Sequence, residues 1–435
     1  MLIPSRRLLW SLVALAAFGV VAAILPDLAI VWVTAAAILA VFAVVDAIAA
    51  LQIRAPAARR VVPASLPLGV AHDVVLRLAN PEGAAIACEL HDHYPAGVET
   101  LGLPQRATVP ARGWAEIRYS LRPVQRGELA FGAVAARLDS RAGLWQVKRM
   151  LGEGSSTRVY PNFAALTKFA LLATDNRLSQ IGVLQRRRRG EGLDFHQLRE
   201  YREGDSQRQV DWKATARMRK LVSREYQDER DQQIVLLIDC GRRMNAQDAE
   251  LAHFDYVLNA ALLLAYVSLR QGDAVGFLAL AAEPRWFAPR KSAATVNLIL
   301  NRVYDLHPTL KTTDYYSAAL ELMKRLRKRA LVVVLSNLRD EDDDTLAPAL
   351  RLMQSRHLVL FASLREGILS RALAARVDSF DRALTHAATA EYLQRRELAF
   401  RRLERGGAVC LDVEPAELPI ALVNRYIDIK RSGRL

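Results

Sequence analysis

The sequence predicts a multi-domain chain: an N-terminal transmembrane helical hairpin, then a β-sandwich, then a doubly wound α/β sheet. Three observations predict it. Two apolar runs near the N-terminus are each long enough to cross a bilayer as a helix. Short alternating runs broken by turn pairs occupy residues 61–162. From residue 231, near-continuous Val/Leu runs alternate with amphipathic helical patterns, the mark of strands buried on both faces.

The 435 residues exceed what one ordinary core holds, so two or three domains are expected. Sixty Lys and Arg against 46 acids leave a formal charge of +14. That excess suits nucleic acid, an anionic membrane surface or an acidic partner, and says nothing about fold. Cys88, Cys240 and Cys410 are far apart and form no CxxC pair. Neither a disulfide framework nor a zinc site is indicated, and a reducing compartment is the simpler reading.

Residues 1–60 hold the hairpin. The first span, about 8–25, carries no charge, and the second, about 28–51, carries only Asp46. Pro26 and Asp27 are all that separates them, and no small-residue cleavage pattern marks a signal peptide. Arg6 and Arg7 precede the first span, while Arg54, Arg59 and Arg60 follow the second. By the positive-inside rule both termini are expected in the cytoplasm, and the chain reads as a two-span plasma-membrane protein. Asp46, near a helix end, is expected to reach the interface.

Residues 61–162 read as an Ig/fibronectin-like β-sandwich of roughly seven strands. His91–Asp92–His93 invites a metal reading, but adjacent side chains on a strand point to opposite faces. An ordinary exposed strand end is the expectation there.

Residues 163–230 form a linker and a charged segment. A connecting helix is expected over 163–184, followed by the run Arg186–Arg189. That run reads as a solvated loop or as ion pairs with Glu191 and Asp194, with a phosphate or lipid contact as the alternative. Beyond it, Arg199, Glu200, Arg202, Glu203, Asp205, Arg208, Asp211 and Lys213 mix both signs of charge. The pattern then switches to the strand Ile234–Ile238, ending at Asp239. An acid there stands where open α/β sheets place ligands, outside the carboxyl ends of their strands.

Residues 231–435 carry the α/β alternation. Helices are expected over 249–270, 295–306, 316–327 and 418–430, and further strands over 274–280, 331–335, 357–364 and 408–413. Gln271–Gly272–Asp273 stops the first helix.

The central stretch resembles the bacterial family catalogued as domain of unknown function 58 (DUF58). The residues that carry the resemblance are Gly192–Leu193–Asp194–Phe195, Leu198–Arg199–Glu200–Tyr201, Gly204–Asp205, Asp211–Trp212–Lys213–Ala214 and Arg224–Glu225. Arg126–Gly127, Gly143–Leu144–Trp145 and Asn424–Arg425–Tyr426 extend it. The resemblance implies a von Willebrand factor A-like α/β domain carried by a membrane hairpin and a β-sandwich in the bacterial inner membrane. It also implies a scaffold or adaptor role beside a MoxR-type AAA+ ATPase and its clients, without enzymatic activity. Gly192, Asp194, Arg199, Tyr201, Gly204, Asp205, Asp211, Trp212, Lys213, Arg224 and Glu225 are then the interaction or signature residues.

Von Willebrand factor A domains often bind Mg²⁺ through an Asp-x-Ser-x-Ser strand end, a later Thr and a second Asp. Here Asp239–Cys240–Gly241–Arg242–Arg243 keeps the first acid only, Thr312 or Thr313 is available, and Asn337 stands where the second acid belongs. The motif is degenerate, so no cofactor is expected, with Mg²⁺ left open. Two readings of Arg243 remain: an internal cation replacing the metal beside Asp239, directly or through Asp314, or a surface residue of the next helix. The alternatives to the adaptor are a metal-dependent hydrolase using Asp239 and, more weakly, a nucleic-acid-binding membrane protein. Against the first, no Ser/His/Asp set and no phosphate-cradling Gly-rich loop is present. Against the second, basic residues lie among acids without aromatic interleaving.

Overall fold

A computed structural model describes residues 1–162, 194–202, 207, 210–227, 232–281, 283–339 and 345–434. The chain divides into two compact units, Met1–Tyr160 and Pro161–Leu435. The expected helix over 163–184 and the arginine run 186–189 lie outside the described residues.

In the first unit, strand β1 (Leu2–Pro4) precedes helices α1 (Arg6–Ile24) and α2 (Ala29–Gln52). Both helical segments are long and apolar enough to cross a membrane. Their side chains stay largely uncovered: Trp10 is 72% and Ile30 76% exposed. The turn between them starts with Pro26, whose fixed φ suits the first position of its short 3₁₀ turn. Eleven strands follow: β2 (Ala57–Val61), β3 (Ser65–Pro67), β4 (His72–Ala79), β5 (Ile86–His91), β6 (Val98–Leu101), β7 (Gln105–Val109), β8 (Trp114–Pro123), β9 (Gly127–Phe131), β10 (Val134–Asp139), β11 (Trp145–Leu151) and β12 (Ser155–Tyr160).

They form sandwich-like sheets in the orders β1-β11-β10-β5-β7, β2-β4-β8-β6 and β3-β12-β9. Alternation puts Val74, Leu76 and Leu78 of β4 inside. Twelve strands stand where about seven are expected, and β1 and β3, three residues each, are too short to show a period and account for two of the extra ones. β1 was not expected at all. It pairs with β11 through Leu2 and Val147, so the chain contributes a sheet strand before its first apolar helix.

Two expectations in this unit are corrected. Asp92 is no exposed strand end: it is fully buried, accepting the Tyr119 hydroxyl at 2.6 Å and Arg60 Nε at 2.8 Å. Burial and the neighbouring Asp92 carboxylate push the Tyr119 phenol well above its usual range. Arg60, read as part of the basic flank, is the cation of that internal pair. Asp46 does not reach outward either. It is buried and accepts hydrogen bonds from Ser140 Oγ at 2.5 Å, Ala142 N at 3.1 Å and Leu144 N at 3.2 Å.

The second unit opens with β13 (Asp194–Glu200), helix α3 (Trp212–Met218) and β14 (Val222–Gln227), where β13 and β14 pair antiparallel. Next come β15 (Gln233–Asp239), a two-residue ladder of β16 (Gln247–Asp248) with β17 (Leu251–Ala252), and α4 (His253–Arg270). The chain continues through β18 (Ala274–Leu280), β19 (Arg285–Arg290), α5 (Thr295–Val303), α6 (Tyr315–Arg325), β20 (Leu331–Ser336) and α7 (Leu346–Gln354). It closes with β21 (Leu358–Leu364), α8 (Gly367–Ala374), α9 (Phe380–Arg405), β22 (Val409–Val413) and α10 (Leu418–Arg431).

The main sheet has the order β19-β18-β15-β20-β21-β22. All its pairings are parallel except that of edge strand β19 with β18. One face is covered by Ala319 and Leu322 of α6, Leu350 and Met353 of α7 and Phe400 and Leu403 of α9, packed with Val235, Leu237, Val334 and Phe361 of the strands. Helix α4 packs against α10 and against β15 and β18. Each buried Leu or Phe in these layers contributes about 1.5–3 kcal/mol relative to exposure. After β15 the chain runs to one side of the sheet, then returns to add β20 on the other, so the strand order reverses between β15 and β20.

Candidate functional site

The reversal leaves a crevice at the carboxyl ends of β15 and β20, and Asp239 and Ser336 end those two strands. Asp239 is 2% exposed. Its Oδ1 accepts the Gly241 N–H at 2.8 Å and the Thr313 hydroxyl. Its Oδ2 accepts the Ser336 hydroxyl at 2.5 Å and the Tyr315 hydroxyl at 2.8 Å. Ser336 and Tyr315 also touch each other, at 2.7 Å. These four donors are neutral groups, supplied by the turn after β15, the loop before α6, the first residue of α6 and the end of β20.

Gly241 matters here because it has no side chain. A Cβ would collide with Thr313 Oγ1 and lie 3.1 Å from Asp239 Oδ1. The threonine hydroxyl occupies the space that a serine at 241 would need. Asp239, Gly241, Arg242, Arg243, Thr312, Thr313 and Tyr315 line what remains, a cavity of about 10 Å³ with room for about one water. Arg243 is buried on the short 3₁₀ turn after β15. Asp314 caps α6 instead of facing Asp239: its carboxylate accepts Ser317 N at 3.0 Å and Ser317 Oγ at 2.6 Å. Those two bonds hold its carboxyl below the usual range.

A second group, of which the sequence reading names only Asn337, adjoins this one. Asn337, fully buried, donates to Glu366 Oε1 at 2.7 Å and accepts from Arg396 Nη1 at 3.1 Å, so its amide bonds the cap of α8 and the α9 arginine. Arg396, on α9, also donates to Ser363 Oγ (2.8 Å), Leu364 O (2.7 Å), Leu338 O and Asp412 (2.7 Å). It ties the carboxyl ends of β20, β21 and β22 together. Its only sequence signal was an arginine amid the helix formers of residues 380–405, a pattern shared by its exposed neighbours. His253, the first residue of α4, is fully buried, and neither ring nitrogen has a hydrogen-bond partner among the described residues. Burial lowers its pKa, opposed by the nearby Glu366 and Asp248 carboxylates.

The charged segment is a separate small module. Asp211 caps α3, accepting Lys213 N and Ala214 N at 3.0 Å each, and its other oxygen accepts Arg224 Nε at 2.8 Å. The Ala214 bond and the Arg224 guanidinium hold its carboxyl below the usual range. Two separate signature blocks therefore meet in one contact. Trp212 and Lys213 face outward, with Trp212 68% exposed. Arg199 donates to Glu200 O at 3.0 Å, and Tyr201 N to Leu221 O. Asp194 and Glu225 lie on the paired strands β13 and β14. Gly192, Gly204 and Asp205 lie outside the described residues.

Residues 197–369 match the model of a family described as protein of unknown function DUF58. The DUF58 match covers less than half of the chain, from β13 into α8, and includes Asp239, Ser336 and Glu366. No curated protein matches the chain. Among solved structures, an aerotolerance-related membrane protein from Bacteroides fragilis is 12% identical over 46% of this chain and 99% of that one, with a TM-score of 0.30. A FixG-related protein from Vibrio parahaemolyticus is 11% identical over 25% of this chain and 98% of that one, at 0.18. A Salmonella alpha-2-macroglobulin mutant is 15% identical over 24% of this chain and 7% of that one, at 0.20.

Proposed function

We propose that this chain is a membrane-anchored scaffold or adaptor whose von Willebrand factor A-like unit presents a protein-interaction surface on the cytoplasmic side. Its partner is an AAA+ ATPase of the MoxR type together with that ATPase's clients, as the DUF58 resemblance implies. The observation that carries this reading is the state of Asp239. The acid at the switch point is saturated by four internal hydrogen bonds, beside a cavity that holds about one water. A substrate-sized reaction chamber is instead expected to reach several hundred cubic ångströms, on the order of 300 Å³.

The same donor set fits a divalent cation poorly. Mg²⁺ takes near-octahedral oxygen ligands and usually one or two carboxylates, whereas Asp239 is the one carboxylate lining the cavity and two arginines line it too. Thr313 already bonds Asp239 directly. We assign Arg243, buried in the wall of that cavity, the role of balancing the Asp239 charge through space.

The test is a detergent pull-down with mass spectrometry, comparing wild type with Asp211→Ala and Asp239→Ala. Loss of an AAA+ partner in Asp211→Ala supports the reading, whereas a wild-type sample that enriches no ATPase refutes it. Phosphoester turnover that requires Asp239 would move the chain to the hydrolase reading.

A further inference from the structure

The apolar hairpin is fastened to the sandwich by a dense set of bonds at one short loop. Ser5, the cap of α1, donates to Gly143 O at 2.6 Å, and its N–H donates to Leu144 O at 2.9 Å. Asp46 on α2 takes its three hydrogen bonds from Ser140, Ala142 and Leu144. The Trp145 indole donates to Ala43 O at 2.8 Å. Gly143 adopts φ +74°, and a Cβ there would lie 2.9 Å from Arg7 Nη1, so the guanidinium packs on the loop backbone. These contacts hold the loop 140–144 level with the mouth of the hairpin, where Leu9, Trp10 and Val13 begin the exposed apolar band.

Three arginines stand on these fastened segments: Arg6 and Arg7 open α1, with Arg7 Nη1 against the loop at Gly143, and Arg141 lies in the loop itself. Arg6, Arg7 and Arg141 are exposed, and none has a carboxylate partner among the described residues. Asp46, the acid closest in the bonding pattern, has both oxygens turned into the loop. An unpartnered arginine at the rim of an apolar band faces lipid headgroups, and its planar fork matches phosphate oxygens two at a time.

We infer that Arg6, Arg7 and Arg141 bind the phosphate of an anionic phospholipid headgroup where the hairpin enters the sandwich. The site rests on the membrane reading above but not on the identity of any protein partner. The loop 140–144 then has two roles. Asp46 fixes it to the helix, and the fixed loop holds Arg141 in the headgroup layer beside Arg6 and Arg7. The bound lipid acts as a clasp that sets the sandwich at one height above the bilayer. A lipid source is favoured over free phosphate because the apolar band adjoins the three charges and takes the acyl chains.

The experiment uses the full chain in nanodiscs containing phosphatidylcholine with a minority of phosphatidylglycerol, and counts the lipids retained after mild detergent extraction. Wild type is expected to retain phosphatidylglycerol in excess of its share. Arg141→Gln lowers that excess roughly fivefold and Arg7→Gln/Arg141→Gln lowers it further, following about 1 kcal/mol per surface charge. The control Arg376→Gln/Arg405→Gln removes two exposed charges elsewhere and leaves the excess unchanged. Equal retention of the two lipids by wild type overturns the site, as does an undiminished excess in the double variant or an equal fall in the control. If the double variant fails to fold, the wild-type lipid preference and Arg141→Gln decide. Inorganic phosphate binding to the detergent-solubilised chain as strongly as lipid would also overturn the site, by making free phosphate its ligand. A chain that fails to float with vesicles of either composition sinks the membrane reading itself, whereas one that floats with both without preference sinks only this inference.

Discussion

The Tyr315 hydroxyl and the Ser336 hydroxyl meet on one oxygen of Asp239, at 2.8 and 2.5 Å, and lie 2.7 Å from each other. A helix start and the end of a neighbouring strand are thereby fixed to the end of β15. The acid at the sheet's switch point acts as a joint between elements.

Removing that joint should be costly. Asp239→Ala leaves the Thr313 hydroxyl and the buried Tyr315 and Ser336 hydroxyls short of an acceptor, and is expected to destabilise the α/β unit by about 3 kcal/mol. Asp239→Asn keeps an acceptor oxygen and should lose less. Denaturant unfolding of the solubilised chain checks the order, and an Ala variant as stable as wild type contradicts it.

Gly241→Ser, which restores one hydroxyl of the expected metal motif, should not restore a metal site. Its Cβ would collide with Thr313 Oγ1. Overpacking of this kind costs about 1–3 kcal/mol, and Thr313→Ala should recover part of it in a double-mutant cycle. Adding Mg²⁺ should leave the melting temperature of both proteins unchanged.

Arg396→Ala should rank among the most damaging single changes, at about 3–5 kcal/mol, because it leaves Asp412 and two buried carbonyls without their partner. Asp412→Ala should cost less, since Arg396 keeps its bonds to Asn337, Ser363 and the carbonyls. Comparing the two melting curves tests the asymmetry.

Mild acid should weaken the α/β unit through its buried histidines. Burial lowers the pKa of both His253 and His357 in the folded state. The unfolded chain therefore takes up protons first as pH falls through about 6.5, so stability is full above that value and declines below it. Melting temperatures from about pH 8 to about pH 5 should fall in wild type and fall less steeply in His253→Gln/His357→Gln. An unchanged slope would remove these two histidines from the account.

Asp46→Ala should loosen the hairpin from the sandwich. The Ser140 hydroxyl and the Ala142 and Leu144 N–H groups lose their acceptor, at about 1–3 kcal/mol for each group left dry. Limited proteolysis in the loop 140–144 should quicken, while α/β fragments appear at the wild-type rate.

Much of the architecture was legible in the chain. The apolar spans, the parallel strands and helices α4, α6 and α10 carry periodicities that burial on a fixed face imposes, and the structure has them within a few residues. Helices α7, α8 and α9 are not among the elements the sequence predicts. α9 opens with nine residues, 380–388, of which none is buried, so its first half carries no stripe to read. β19 escaped because an antiparallel edge strand holding Pro289 lacks the buried run of its neighbours.

The site divides along the same line. In the chain alone an acid ends the first buried strand, glycine and arginine replace the hydroxyls after it, and Asp211 stands only among residues of mixed charge. It takes the packed fold to close Ser336, Tyr315 and Thr313 on Asp239, to bind three strand ends through Arg396, and to hold with Asp46 a loop some ninety residues distant. Periodicity reports which face of an element is dry, because each turn or pleat repeats that constraint locally. A hydrogen bond between residues far apart in the chain leaves no such repeat, and it exists only once packing has brought donor and acceptor together.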